Sequence, residues 1–366
     1  MDNITKAGLL LNAVRAPYTA FKRLCSDYDP AELWQSESLR NELGLAEKMI
    51  DRLSRSISQG WAEKEDELIY SNGAKFITSQ SLDYPTKLLD LKKPPIGLYI
   101  KGNANLFLPS VAIVGTRGCS EYARDVAENL GKVLAKVGII TVSGGAKGID
   151  TAGHRGTLAE NGTTVVIFGT GLDKIYPVEN RDLFARILER GAWVSEYPFR
   201  TDGNTWRFPE RDRLIAAISA HTVVAESPED GGAMHTAKIA KGLGRDLWSI
   251  PGRIIDYASK GTNLLIRDGS KVFVTIIDFV RTITGGREIS FDFVENSEAS
   301  ENEKPEINLS DDEKIIYSLI QRQGGKTSDE IVTESCLDFG SVNMALMSLE
   351  GEGLIADMAG RYTVLE

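Results

Sequence analysis

Cysteine and histidine are both scarce in this chain, and no long apolar run occurs. The three cysteines, Cys25, Cys119 and Cys336, are far apart and odd in number. They offer neither a disulfide framework nor a zinc knuckle, so a reducing, cytoplasmic setting is expected. The three histidines, His154, His221 and His235, lack metal-ligand spacing. No stretch approaches the roughly 18 apolar residues of a membrane span. The run Leu9-Leu10-Leu11 is too short for a signal peptide, and no cleavage pattern follows it. No metal, no cofactor and no membrane association are expected.

A surplus of positive charge is also missing, since the formal net charge is −10. Its location matters more than its size. Residues 287–313 carry ten acids against two bases, whereas residues 111–282 carry 20 acids against 22 bases. The acidity is mostly a tether, and the central region is free to present a local basic groove. A surplus of two bases is not itself a sign of nucleic-acid binding.

What is present is a chain of 366 residues, 42% apolar, long enough for two or three domains. Residues 1–66 read as a small helical domain. Leu9, Leu10, Val14, Phe21 and Leu24 give one apolar helical face, and Leu43, Leu45, Met49, Ile50, Leu53 and Ile57 another. Residues 67–110 hold short strands at 74–78 and 98–100 among prolines, as an extension packed on the next domain. Residues 111–282 alternate continuous apolar strands (111–114, 139–143, 164–168, 192–196, 222–226, 246–250) with helices. That alternation predicts a parallel sheet covered on both faces, a Rossmann-like domain spanning 67–285 with its extension. Residues 286–308 are polar and acidic and read as a disordered linker. Residues 309–366 read as three helices and a hairpin, a small winged helix, with Ser310 and Glu313 forming a capping box. Its few bases (Lys314, Arg322, Lys326, Arg361) point to a modulating or protein-contact role.

Three glycine loops follow strand ends: Gly115-Thr116-Arg117-Gly118, Gly144-Gly145-Ala146-Lys147-Gly148 and Gly169-Thr170-Gly171. Ligands of an open parallel sheet sit beyond those ends. Glycines bring backbone N–H groups close to an anion, and helix N-termini favour it. Arg117 and Lys147 add charge there, so the loops point to phosphate; the alternative is that the glycines only make tight turns. The phosphate is not that of a familiar cofactor. Gly169-Thr170-Gly171 lacks the third glycine of a dinucleotide fingerprint. Gly325-Lys326-Thr327 ends like a Walker loop, but Ile320 stands where its first glycine belongs. A nucleophile elbow at Ser143 would need glycine where Thr141 stands. Asp150, Glu196 and Glu226 lie near strand ends without a partner motif, so no enzyme is expected.

The segment Trp206-Arg207-Phe208-Pro209-Glu210-Arg211-Asp212-Arg213 places three arginines and two aromatics within eight residues. Arginine forks grip phosphates and aromatic rings stack on unpaired bases. A surface helix with its arginines paired to Glu210 and Asp212, and its aromatics in the core, fits equally well.

Together these motifs resemble the DNA-processing protein A (DprA, also called Smf) family. The matching segments are VAIVGTR at 111–117, SGGAKGIDTAGH at 143–154, IFGTGLDKIYPVENR at 167–181, the stretch from Phe208 to Ser219, Gly231 to Ala237, and GTNLLIRDG at 261–269. The resemblance implies an N-terminal SAM-like helical domain, a Rossmann-like domain and a C-terminal winged helix. It implies a homodimer that binds single-stranded DNA, protects incoming strands in natural transformation and recombination, and loads the recombinase RecA. The implied DNA-binding residues are Gly115, Thr116, Arg117, Gly145, Lys147, Arg207, Phe208, Arg211 and Arg213, with Phe208 facing a base. The chain departs from the family pattern at Asp212 (usually Asn), Gly231 (usually Ser), His235 (usually apolar) and Lys147 (usually Arg). The competing function is a phosphoribohydrolase-like nucleotide enzyme of the related superfamily. Its helix glutamate is absent from Gly231-Gly232-Ala233-Met234-His235-Thr236-Ala237.

Overall fold

The computed structural model describes residues 1–286 and 309–364, except positions 324, 336, 352, 353, 358 and 359. The described residues fall in two compact units, Met1–Val294 and Glu295–Glu366. The acidic linker expected over 286–308 lies, from residue 287 on, outside the described residues.

The first unit begins with six helices: α1 (Asn3–Ala13), α2 (Tyr18–Asp27), α3 (Glu32–Gln35), α4 (Glu37–Glu42), α5 (Glu47–Ser58) and α6 (Trp61–Ser71). Their apolar faces meet in one cluster that includes Leu10, Val14, Phe21, Leu24, Leu43 and Leu53. Leu9 turns instead toward the sheet, packing with Tyr99 and Phe168. Asn12 donates to the carbonyl of Glu196 at 2.9 Å, and Glu65 accepts from the Phe199 amide at 2.8 Å. The helical front is thus bolted to the sheet by both apolar and polar contacts. The boundary expected at residue 66 falls inside α6, which runs on to Ser71.

The sheet has nine strands: β1 (Ala74–Thr78), β2 (Gly97–Gly102), β3 (Ser110–Val114), β4 (Ile140–Ser143), β5 (Thr164–Phe168), β6 (Ala192–Ser195), β7 (His221–Val224), β8 (Asp246–Ser249) and β9 (Lys271–Val272), in the order β1-β2-β6-β5-β4-β3-β7-β8-β9. The pairs from β6 through β9 are all parallel, while β2 runs antiparallel to β6 and to β1. Residues 74–102 therefore extend the sheet itself rather than merely packing on it.

Alternation along each strand feeds two cores. Ala112 and Val114 face a layer containing α10 (Arg207–Ile218) and α11 (Gly232–Gly242), packing with Leu214, Ile215, Ile218 and Ala237. Val111 and Ile113 face the other layer, with α7 (Glu121–Lys136), α8 (Ile149–Ala159) and Phe279 of α13 (Ile276–Ile283). Helices α9 (Arg181–Arg190) and α12 (Lys260–Arg267) complete the crossovers. This is the both-faces-covered parallel sheet that continuous Val/Ile runs imply. The chain steps outward from β3 to β6 and returns to β7 beside β3, which puts the topological switch point between β3 and β7.

The second unit contains α14 (Asp311–Gln323), α15 (Ser328–Ser335), α16 (Phe339–Gly351) and an antiparallel pair, β10 (Ile355–Asp357) with β11 (Tyr362–Val364). Its core includes Ile316, Ile331, Leu346 and Leu349. Ser310 and Glu313 cap α14 reciprocally. No helix of the described residues is long and apolar enough to cross a membrane.

Candidate nucleic-acid interface

The carboxyl ends of β3 and β7 open into a cleft of about 440 Å³ at the switch point. The loop after β3 supplies Gly115, Thr116 and Arg117, and the start of α11 supplies Gly231 and Gly232. Gly115 is required there, since a Cβ would meet the Ile149 side chain and the Glu226 carbonyl at 2.5–2.8 Å. The Thr116 amide donates to that carbonyl at 2.8 Å, tying the two loops across the switch point. Arg117 follows directly. It is exposed and makes no ion pair among the described residues.

The other wall is α10. Phe208 is half-buried, with its ring over Gly169 and 5.1 Å from the ring of Tyr176. Tyr176 is 48% exposed. Arg117, Tyr176, Phe208 and Arg211 also line an adjoining recess of about 200 Å³, where Lys147 joins them. The cleft thus combines one free guanidinium, a second cation and a pair of tilted rings, which suits a strand offering phosphates and unpaired bases together.

Arg211 plays a different part from the one its sequence position suggests. It is 6% exposed. Its guanidinium lies flat on Gly144, donates to the Gly144 carbonyl at 2.6 Å and to the Ile167 carbonyl, and pairs with Asp212 at 3.1 Å. It latches the second glycine loop to the end of β5 and reaches the cleft only from beneath. Asp212, the acid in place of the usual Asn, orients that latch. Burial pushes its carboxyl up, against the pull of Arg211, His235 and Arg117.

Two amides of the second glycine loop are taken within the fold. Gly144 and Ala146 both donate to Asp150 Oδ2 at 3.2 Å, so an internal carboxylate occupies that nest. Burial raises the Asp150 carboxyl to about 6. Gly145 has φ +69° with the Phe184 ring where a Cβ would go, and its carbonyl accepts from Asn180. It is a buried structural glycine that lines neither recess. Gly145, expected among the DNA-contacting residues, is placed here as a support of the loop. Lys147 is exposed and pairs with Glu179 at 2.6 Å, a surface pair that an incoming phosphate can replace at little cost.

Arg213 and Arg207 also leave the expected groove. Two residues on from Arg211, Arg213 falls on the opposite face of α10, and Arg207, at the first position of the helix, turns back toward the preceding loop. Arg213 pairs with both oxygens of Glu196 and donates to the Lys93 carbonyl at 2.8 Å. Arg207 donates to the Asp202 carbonyl, with its guanidinium 4.9 Å from the Trp206 ring. Both line a second cleft, of about 740 Å³, between the helical front and the sheet. Arg117, Arg211 and Arg213 therefore do not share one groove. Of the pairs expected with Glu210 and Asp212, only Arg211 with Asp212 forms, since Arg213 takes Glu196 and Glu210 pairs with Arg15; Trp206 is 49% exposed rather than core.

The remaining carboxylates near strand ends are engaged within the fold. Glu226 accepts from the Ser120 amide and hydroxyl, and Glu196 holds Arg213. His154 is fully buried and bonded to Thr164 at 2.7 Å, and burial lowers it to about 3. His235 is exposed on α11. Among the described residues no cluster of side chains could hold a metal ion. Sequence reasoning missed Tyr176 as the second ring. Its position before Pro177 in the segment after Gly169-Thr170-Gly171 was the available signal.

The sequence profile of the DNA recombination-mediator protein A family matches residues 75–284. Protein Smf of Synechocystis is 30% identical over 93% of this chain and 94% of its own length. DNA processing protein DprA of Streptococcus pneumoniae is 36% identical over 60% of this chain and 75% of its own. The X-ray structure of the pneumococcal protein covers 76% of this chain and 97% of its own, at 28% identity and a TM-score of 0.65. A structure of DNA processing protein A from Helicobacter pylori, described for its single-stranded DNA binding mode, covers 58% of this chain and 96% of its own, at 30% identity and a TM-score of 0.53.

Proposed function

This chain belongs to the DNA recombination-mediator protein A family, and from that premise we propose that it binds single-stranded DNA in the switch-point cleft. The carrying observation is the convergence there of unpaired Arg117 with the Phe208–Tyr176 ring pair, 5.1 Å apart. A phosphate needs the first and an unstacked base the second, and only a single strand presents both freely. The H. pylori relative described for single-stranded DNA binding supports the same reading.

In natural transformation and recombination the protein would shield incoming strands in the cytoplasm and load the recombinase RecA onto them. It would do so as a homodimer through the Rossmann-like sheet. The helical front is read as a SAM-like domain. The second unit, three helices and a hairpin, is read as a winged helix that modulates these steps or contacts a partner. We read the protein as a binder, not an enzyme, because Asp150, Glu196 and Glu226 are each tied into the fold.

The test is a titration of labelled single-stranded and duplex DNA at several salt concentrations, run beside an assay for base released from nucleoside monophosphates. Single-strand preference with no released base is expected. Equal affinity for duplex, or release of base, would move the nucleotide-enzyme reading ahead. RecA loading is tested by whether the protein speeds RecA filament growth on strands already coated with single-strand-binding protein.

A further inference from the structure

Most of the cationic surplus near α10 lies outside the switch-point cleft. There, Arg117 and Arg211 are offset by Asp150 and Asp212, with Lys147 contributing at the adjoining recess. The second cleft is larger, about 740 Å³, and is lined by Arg15, Arg52, Lys92, Lys93, Arg207 and Arg213 against only Glu196 and Glu210. Lys92 and Lys93 are consecutive, exposed and without an ion pair among the described residues. Arg207 keeps a buried Nε with no hydrogen-bond partner.

Trp206 lies in sequence between Thr205 and Phe208, which line the first cleft, and beside Arg207, which lines the second. It immediately precedes α10, whose first turns carry Phe208 on one face and Arg207 and Glu210 on the other. The indole is 49% exposed, with the guanidinium groups of Arg15 and Arg207 at 4.8 and 4.9 Å from its ring centre. Arg15 comes from the turn after α1, where it holds φ +58°. Glycine adopts that left-handed conformation most readily, and Asn161 and Arg200 share it. At position 15 it carries a guanidinium to the indole, where Arg15 also pairs with Glu210, a pair that a phosphate would have to displace.

We propose that the second cleft is the continuation of the DNA site: a strand leaving Phe208 crosses Trp206, stacks a base on the indole, and runs its phosphates over Lys92, Lys93 and the Arg15–Arg207 pair. Trp206 and Phe208 are two residues, and about 200° of helical turn, apart, so their rings project to opposite sides of the start of α10. A strand reaching from one ring to the other therefore passes over the start of α10 between the two clefts. The positive end of α10 lies between the clefts and favours a phosphate crossing there. The exposed indole distinguishes a nucleic acid from an acidic peptide, which would use the cations but not the ring. The inference rests on the single-strand reading of the first cleft, and it gives the helical front a direct part in DNA binding.

The test uses the full chain and labelled oligothymidylates of about 6 and about 20 nucleotides, lengths bracketing a single short site and an extended one. Trp206→Ala should weaken the long oligonucleotide about tenfold with the salt slope unchanged, since stacking releases no counterion. Lys92→Glu/Lys93→Glu, and more mildly Lys92→Ala/Lys93→Ala, should weaken it and make the slope shallower by about 0.7 for each phosphate no longer held. The short oligonucleotide should bind all of these as it binds the parent, and thermal melts should confirm that each variant is folded. Arg117→Ala should weaken both lengths. Long-strand binding that survives all the second-cleft variants overturns the proposal and leaves the first cleft standing. A parent that binds neither length overturns the single-strand reading itself. Polyglutamate that displaces the long strand's extra affinity at matched charge would assign the cleft to acidic peptides and also overturn the proposal.

Discussion

Replacing Arg211 with alanine removes a guanidinium held by two backbone carbonyls and one carboxylate. The Gly144 and Ile167 carbonyls are buried and lose a charged donor, and Asp212 is left largely buried without its pair. An orphaned buried polar group costs about 1–3 kcal/mol, and breaking a buried ion pair about 3–5 kcal/mol. These losses overlap, so a total of about 3–5 kcal/mol is expected. For a unit of this size that corresponds to a melting point lower by about 10 °C. Arg117→Ala gives the contrast. Arg117 is exposed and makes no ion pair among the described residues, acting on Asp212 only at a distance, so the fold should change by less than about 0.5 kcal/mol. The assay is a melt followed by circular dichroism, paired with an oligonucleotide titration on each variant. Arg211→Ala should lose stability first and affinity as a consequence, and Arg211→Lys should fall between, keeping charge but losing the planar fork. An Arg211→Ala protein that melts within a degree of the parent, yet no longer binds DNA, would show that Arg211 is a phosphate ligand and that the latch is misread.

Phe208→Ala and Tyr176→Ala should each weaken single-strand binding by about 1–3 kcal/mol at unchanged salt slope, measured by fluorescence anisotropy; a shallower slope would mean the rings position a phosphate instead. Burial raises Asp150 from 3.8 to about 6, so between about pH 6 and 4 the folded chain binds a proton the unfolded chain does not. Protonation then stabilises the fold as pH falls through 6, by about 3 kcal/mol once complete, and the effect is absent above it. Asp150→Asn should therefore lose stability relative to the parent between pH 7 and 4.5 in urea melts, and parallel pH profiles would contradict the assignment. Cutting the chain after residue 285 should leave binding of a single strand within about threefold of the full protein. Loss of binding would place the second unit in the main site.

Local pattern made the sheet legible. Val111 to Val114 form an unbroken apolar run because alternate residues feed two cores, one under α10 and one under α7. Loops after such strands had to carry the ligand site, and Arg117 was readable from its place after Gly115. The fate of the other cations was not, because it depends on partners far away in sequence. Arg211 finds Gly144, 67 residues earlier, and Arg213 finds Glu196 and Lys93. No spacing rule distinguishes a latch from a ligand when the competing acceptors are backbone carbonyls. Asp150 was visible as a strand-end acid, but not as the anion that fills its own loop's amides. Arg15 was not legible as a site cation at all. Its link to Trp206 exists because α1 docks on the sheet through Asn12 and Leu9.

The central claim is that Arg117 is the free phosphate ligand of the switch-point cleft. The most direct measurement is the salt dependence of single-strand binding by the parent and by Arg117→Ala, on an oligonucleotide short enough to occupy that cleft alone. Arg117→Ala should bind about five- to a hundred-and-fifty-fold more weakly, with a log–log salt slope shallower by about 0.7 and an unchanged melting point. A folded Arg117→Ala protein with the parent's affinity and slope would contradict it.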